Sequence, residues 1–440
     1  MVTAQAKSNV HEYLLDNGMK VLVKTDHRAP VVVSQVWYKV GSSYEWGGVT
    51  GASHVLEHMM FKGTQKHAAG EFSRIIAEQG GRENAFTSRD YTAYFQTLEK
   101  SRLPVSMEME ADRMHNLVMQ EEEFAKEVKV VMEERRTRTD DKPRSLTYEQ
   151  FYATAFNHSG YHHPIIGWMN DLESLEIDDL KTWYQQYYAP NNATLIVVGD
   201  VEPDEVYAMA KRYYGVIPKG KTAVLKPRIE AKQLGQRRIE VAAPAKLPYL
   251  LMGYKVPVLA TVEDEKEVYA LDVLAGVLDG GDSARFSRDL IRGRQLAASA
   301  GASYGMHART DDLFILQGIP ANGHTMQEIE AALREHIEKL KTELVDEKEL
   351  KRIKAQVIAS EVYEKDSLFY QGMSMGILET VGLGWQRQDE YVEKIKAVTA
   401  EQVQAVAIKY LIDDHLTVAT LKPLPIDPNK PPTAPTAGRH

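Results

Sequence analysis

A helix-forming stretch, a tyrosine-led polar turn and a short apolar strand follow one another twice in this chain, near half its length apart. The first copy runs from Asp179 through Tyr188-Ala189-Pro190-Asn191-Asn192 to the strand Leu195–Val198. The second runs from Glu401 through Tyr410-Leu411-Ile412-Asp413-Asp414 to the strand Leu416–Thr420. Self-similarity at that period points to a duplicated α+β unit. The order of elements before each copy agrees. In the first half, Tyr13-Leu14-Leu15 leads through the hairpin-type turn Asp16-Asn17-Gly18 to a strand over Met19–Lys24 and then to the alternating run Val31–Tyr38. Helices are expected over 52–61 and 72–79, the second stopped by Gly80-Gly81. A β-rich stretch over 86–98 precedes long helices over 102–119 and 121–138, and another helix covers 202–215. In the second half, 238–256 is strand-rich, with helices expected over 264–279, 326–362 and 388–410. Residues 218–237 are basic, poor in large apolar groups and punctuated by Pro218, Gly220, Pro227 and Gly235, which marks a linker. The expectation is an α+β fold of two homologous domains, 1–217 and 238–424, each a mainly antiparallel sheet packed against helices, with a Pro-rich, disordered tail over 425–440.

Composition removes several classes of function. The chain has no cysteine, which excludes disulfides, thiolate nucleophiles and cysteine-ligated zinc. A formal net charge of -9 argues against nucleic acid as the main partner. No run of apolar residues is long enough to span a membrane. Ala4-Gln5-Ala6 resembles the end of a signal cleavage site. The protein is expected to be exported if a signal has been removed, and cytoplasmic otherwise.

The segment His54-Val55-Leu56-Glu57-His58 carries the chemistry. Two histidines four residues apart on a helix present both imidazoles on one face, one turn apart, as two ligands of one ion require. Glu57 can reach the ion's open position without being a ligand. A bound zinc ion lowers the pKa of water to about 7, and a neighbouring carboxylate can take the proton and later deliver it to a leaving amine. A zinc site of this kind needs a third protein ligand. The helical stretch from Glu127 to Glu134 offers Glu127, Glu133 and Glu134, of which Glu127 and Glu134 share a face. The same run, with Glu121, Glu122 and Glu123, also suits a solvated acidic surface, and spacing alone does not choose between these readings.

HVLEH followed by Met59-Met60-Phe61-Lys62-Gly63-Thr64 resembles the inverted HxxEH signature of the pitrilysin-like metallopeptidases, which include insulin-degrading enzyme and mitochondrial processing peptidase. Gly80-Gly81, Asn84-Ala85-Phe86-Thr87-Ser88, Tyr91-Thr92, Tyr94, the Glu127–Glu134 stretch, Tyr188-Ala189-Pro190-Asn191-Asn192 and Val197-Val198-Gly199-Asp200 extend the likeness over nearly the whole chain. The resemblance implies zinc held by His54, His58 and Glu134, Glu57 as catalytic base, and Glu127 as a supporting catalytic carboxylate beside the site. It implies a peptide substrate added as an extra strand near Asn84, Ala85 and Phe86, with Phe61 lining an apolar pocket. Phe61 and Phe86 suit plain core packing equally well. One departure stands out. Active members usually carry an Arg and a Tyr seven residues apart in the second half, and here Ile291 and Ala298 occupy those places, with Arg292 and Tyr304 out of register. The resemblance is to bacterial half-size subunits that work with a homologous partner supplying the Arg/Tyr pair. The expected function is that of a zinc endopeptidase subunit in a heterodimer, cleaving unfolded or short peptides. A self-sufficient homodimeric peptidase using Arg292 or another donor, and a non-catalytic assembly subunit, are the alternatives.

Overall fold

In the computed structural model the repeated helix–turn–strand supplies an inner strand of a sheet in each half. The structure describes residues 9–222, 226 and 228–426; Ala4-Gln5-Ala6, part of the 218–237 linker and the tail from 427 onward lie outside the described residues. The first sheet contains β1 (Val10–Leu14), β2 (Lys20–Thr25), β3 (Val31–Tyr38), β4 (Arg82–Thr87), β5 (Thr92–Glu99) and β6 (Ala193–Gly199), in the order β1-β2-β6-β3-β5-β4. The second contains β7 (Arg237–Pro244), β8 (Tyr249–Val256), β9 (Ala297–Ser303), β10 (Asp312–Pro320) and β11 (Leu416–Leu424), in the order β7-β11-β8-β10-β9. β6 inserts parallel to β2 and antiparallel to β3; β11 inserts parallel to β7 and antiparallel to β8. The other pairings are antiparallel. With β1 set aside, the two sheets have one topology, so the fold is α+β with two homologous domains.

Helices of the first half are α1 (Ala52–Met59), α2 (Glu71–Glu78), α3 (Leu103–Asn116), α4 (Glu121–Arg135), α5 (Pro143–Ala155), α6 (Met169–Ser174), α7 (Ile177–Tyr187) and α8 (Pro203–Tyr213). Those of the second are α9 (Glu265–Asp279), α10 (Met326–Thr342), α11 (Glu347–Glu364), α12 (Leu368–Thr380), α13 (Tyr391–Ala397) and α14 (Ala400–Tyr410). The helices expected over 326–362 and 388–410 are each two helices. Thr325 and Thr399 form capping boxes with Glu328 and Gln402, and Asp346 caps α11, so new starts override the continuous apolar pattern. The expected stretch 86–98 is a hairpin, β4 and β5, that begins earlier, at Arg82.

The outer faces of the two sheets are exchanged between the halves. On the first sheet, Val21, Val23, Val36 and Leu195 face the first-half helices, while Leu22, Trp37, Ile196 and Val198 face Met375 and Trp385 of the second half. Both faces are covered, so β6 is buried throughout, as a run of apolar residues requires. Helix α12 approaches so closely that a side chain at Gly376 would meet the Trp37 indole at 2.1 Å. Reciprocally, α5 from the first half packs on the second sheet, with Phe151, Tyr152 and Ala155 against Tyr249, Leu251, Ala419 and Leu421. Among the described residues no helix is long and apolar enough to cross a membrane.

Helix α1 starts at Gly51, whose φ of 90° suits glycine and which has no side chain to cap the helix. Glu45, fully buried, does this instead: its two carboxylate oxygens accept the backbone N–H groups of Gly51 and Ser53, each at 2.8 Å. Removing them leaves two buried donors without acceptors. Glu45→Ala should therefore lower unfolding free energy by about 3 kcal/mol in denaturant titrations, whereas Glu108→Ala at an exposed position of α3 should change it by less than about 1 kcal/mol.

Candidate metal centre

Helix α4 packs across α1 and brings two carboxylates to the imidazoles of His54 and His58. The two rings lie 4.9 Å apart and nearly perpendicular. Glu134 Oε2 stands 3.6 Å from His54 Nε2 and 3.5 Å from His58 Nε2. These separations are long for hydrogen bonds, whose N···O distances centre near 2.9–3.0 Å. They match the spacing of about 3.4 Å between ligand atoms around a tetrahedral ion with bonds of about 2.1 Å. His54, His58 and Glu134 are the group that could hold a metal ion among the described residues.

The surrounding groups orient these three side chains. Glu127 Oε2 lies 3.1 Å from His58 Nδ1, and its other oxygen is 2.7 Å from Lys62 Nζ. A carboxylate at Nδ1 favours the proton there and leaves Nε2 for an ion. Glu134 Oε1 is ion-paired with Arg138, four residues on, which leaves Oε2 to the histidines. Burial opposes the charge on Glu134, but His58, His54 and Arg138 outweigh it and hold its pKa down to about 2. Burial also opposes charge on His58, yet Glu127, Glu134 and Glu57 bring it up to about 9. An ion bound here would compete with a proton on His58. Glu133, the rival candidate, is half exposed and paired with Arg136 at 3.1 Å, away from the imidazoles.

Glu57 opens into a cavity of about 730 Å³ that also touches His54 and Glu134. Burial raises its pKa, against a hydrogen bond donated by the Thr87 hydroxyl. Thr87 ends β4, the outermost strand of the first sheet, and Asn84, Ala85 and Phe86 of that strand line the same cavity. The cavity is also lined by α5, through the exposed Arg144 and Tyr148 and the buried Tyr152, and by Tyr249 from the second half. Phe61 is elsewhere. It is buried in the first-half core, edge-on to Phe72 at 6.4 Å and under the Arg113 guanidinium at 4.9 Å, so its place is packing and it does not line the cavity. Phe86 does both: it lines the cavity and sets its ring 5.5 Å from Trp37.

Sequence reasoning missed Thr87, Arg138 and the α5 wall. The i,i+4 spacing of Glu134 and Arg138 was a usable signal; nothing local signals that α5 faces the site. In the second half, Ala298 lies on the edge strand β9 and Ile291 in a short π-helical stretch. Arg292 donates to the Asp282 carbonyl and Tyr304 donates to the Pro257 carbonyl at 2.6 Å; neither lines the cavity.

Comparison with known proteins agrees with this architecture. The insulinase family (peptidase family M16) matches residues 20–167, and the peptidase M16 inactive domain matches residues 174–357. The zinc protease PqqE of Helicobacter pylori is 32% identical over 438 residues, covering 96% of this chain and 96% of that protein. A crystal structure of a protease from Helicobacter pylori superposes with a TM-score of 0.89 at 30% identity, over 94% of this chain and 99% of the other. The periplasmic protease PqqL from Escherichia coli shares the fold, with a TM-score of 0.79 at 17% identity; the match takes in 96% of this chain but 49% of PqqL. The chain belongs to peptidase family M16.

The site geometry separates the acidic residues of α4 by role. Glu127→Ala should weaken metal binding about 10–100-fold in calorimetric titration of the metal-free chain, because His58 loses its orienting partner. Glu133→Ala, which touches neither imidazole, should leave the affinity within about twofold.

Proposed function

We propose that this M16 chain is the metal-bearing subunit of a zinc-dependent endopeptidase that cleaves unfolded or short peptides and is completed by a homologous partner. The observation that carries the reading is the convergence of His54, His58 and Glu134, at spacings suited to one ion, with Glu57 in the same cavity beside the free edge of β4. Zinc is the ion named for the relative PqqE. A zinc ion in such a site supplies Lewis acidity toward a peptide carbonyl and a water molecule.

The chain's own residues do the rest. Glu57 takes the proton of the attacking water and returns it to the leaving amine, and its burial-raised pKa suits both halves of that task. Thr87 fixes the carboxylate by donating to one oxygen. The free edge of β4 pairs with the substrate backbone, so that Asn84, Ala85 and Phe86 contact it and register, more than side-chain identity, sets the scissile bond. Glu127 holds His58 in its orientation.

The proposed partner requirement is supported by the missing Arg/Tyr pair of the second half. Ile291 and Ala298 cannot donate a hydrogen bond to a developing oxyanion, and Arg292 and Tyr304 are engaged with backbone carbonyls. The absence of such a donor costs about 10²–10³ in rate. A homologous subunit facing this one would supply donors and enclose a chamber that excludes folded proteins. A single chain of about twice this length, as in the PqqL match, is one way for two such halves to be paired.

Two measurements test the proposal. Glu57→Gln should keep one bound ion per chain while peptide cleavage by the partnered enzyme falls at least about 10²-fold. The purified chain alone should cleave at least about 10²-fold more slowly than the chain with its homologous partner. Full activity alone, in a homodimer, would remove the partner from the reading.

A further inference from the structure

The charged groups of the cavity wall can be accounted for one by one. Glu134 is paired with Arg138. Glu149 is buried and bound through both oxygens to Arg135, at 2.6 and 2.9 Å. Arg89 is paired with Asp312 at 3.3 Å and lies over the Tyr152 ring at 3.9 Å. Glu57 is held by Thr87. Arg144 remains, the one cation of the wall with no ion pair to a carboxylate among the described residues.

Arg144 is exposed, with one aromatic contact beside it. Its guanidinium lies 5.4 Å from the centre of the Tyr249 ring, and the Tyr249 hydroxyl is fixed by donating to Gln317 Oε1 at 2.5 Å. Contact with an aromatic ring restrains a guanidinium while leaving its N–H donors available. Tyr148, four residues on, shares the same face of α5 and stands 4.8 Å, ring to ring, from Tyr152, with its side chain partly in solvent. A guanidinium fork and a phenol four residues apart on one helix, both lining the cavity that the β4 residues also line, are donors of the kind a planar anion needs. The chain's net charge of -9 repels acidic peptides at long range, so a local cation in the cavity is what could select them.

We infer that Arg144, with Tyr148, forms a subsite for a substrate carboxylate, and that the cavity favours peptides carrying an acidic side chain or a free C-terminus near the cleaved bond. The inference rests on the peptidase reading of the cavity and adds a substrate class to it. Arg144 comes from the first half and its aromatic neighbour, Tyr249, from the second, so the subsite exists only where the two halves meet.

The test uses matched peptides that differ only by Glu against Gln at each position flanking the cleaved bond, and by a free or amidated C-terminus. For the partnered wild-type enzyme, kcat/KM should favour one carboxylate-bearing member about tenfold. The arm that shows the preference tells a side-chain carboxylate from a terminal one. In Arg144→Gln the ratio should fall toward one; in Arg144→Lys, which keeps the charge but loses the fork, it should be intermediate. Binding of the same peptides to the Glu57→Gln enzyme, read by fluorescence anisotropy, reports the preference without turnover. A carboxylate preference in binding with no cleavage by the wild type supports the subsite and sinks the peptidase reading. Cleavage with no preference, or a preference that survives Arg144→Gln, overturns the subsite and leaves the peptidase reading standing.

Discussion

The site depends on helix α4 lying across α1. The imidazoles of His54 and His58 sit one turn apart on a short helix, but two neutral rings make a weak and non-selective site. Packing of α4 adds Glu127 and Glu134, two turns apart on one face, so that each carboxylate reaches a histidine. Each also uses its second oxygen on a cation nearer solvent, Lys62 for Glu127 and Arg138 for Glu134. The pattern is the same twice: cation, carboxylate, imidazole. It offsets the cost of burying two negative charges and leaves the inner oxygen and the inner nitrogens directed at one point. Glu45 belongs to the same design from the other side, because it anchors the start of α1 where Gly51 has no side chain to do so.

The exchange of α5 and α12 between halves explains why the cavity has two walls. Were each sheet covered only by its own helices, the β4 edge would face solvent. Instead α5 leaves the first half to cover the second sheet, and its exposed Arg144 and Tyr148 line the same cavity as the β4 edge. The interface is closed further by a polar network. Asp90 receives hydrogen bonds from Ser43 and Tyr161, while Arg309 of the second half bonds to both Asp90 and Ser43. Apolar packing on both sides and a hydrogen-bonded polar cluster between them make this junction part of the fold.

Much of this was legible along the chain, and the limits follow from the range of each signal. The hairpin at Asp16-Asn17-Gly18, the pairing of His54 with His58 and the stop at Gly80-Gly81 are set within a few residues, where backbone preference and helical period act directly. The choice of Glu134 over Glu133 was open to spacing, because both occupy one acidic helix; the packing of α4 settles which of them faces α1. Phe61 shows the opposite failure. The family resemblance implied a pocket and core packing suited it equally well; Arg113, Phe72 and Tyr94 surround its ring, and a cation stacked among aromatic side chains is a core arrangement with no local mark.

By itself the sequence determined the duplicated α+β plan, the two histidines on one helical face and the absence of thiol chemistry, since these rest on period, spacing and composition. Spacing left open which carboxylate joins the histidines, and only the resemblance pointed to Glu134 and to a strand edge near Asn84; the tertiary structure brings Glu134 to the histidines, makes β4 an edge and puts α5 on the cavity. Those outcomes depend on contacts between residues tens to hundreds of positions apart. Such contacts are fixed by how buried faces fit together, and no local propensity encodes them.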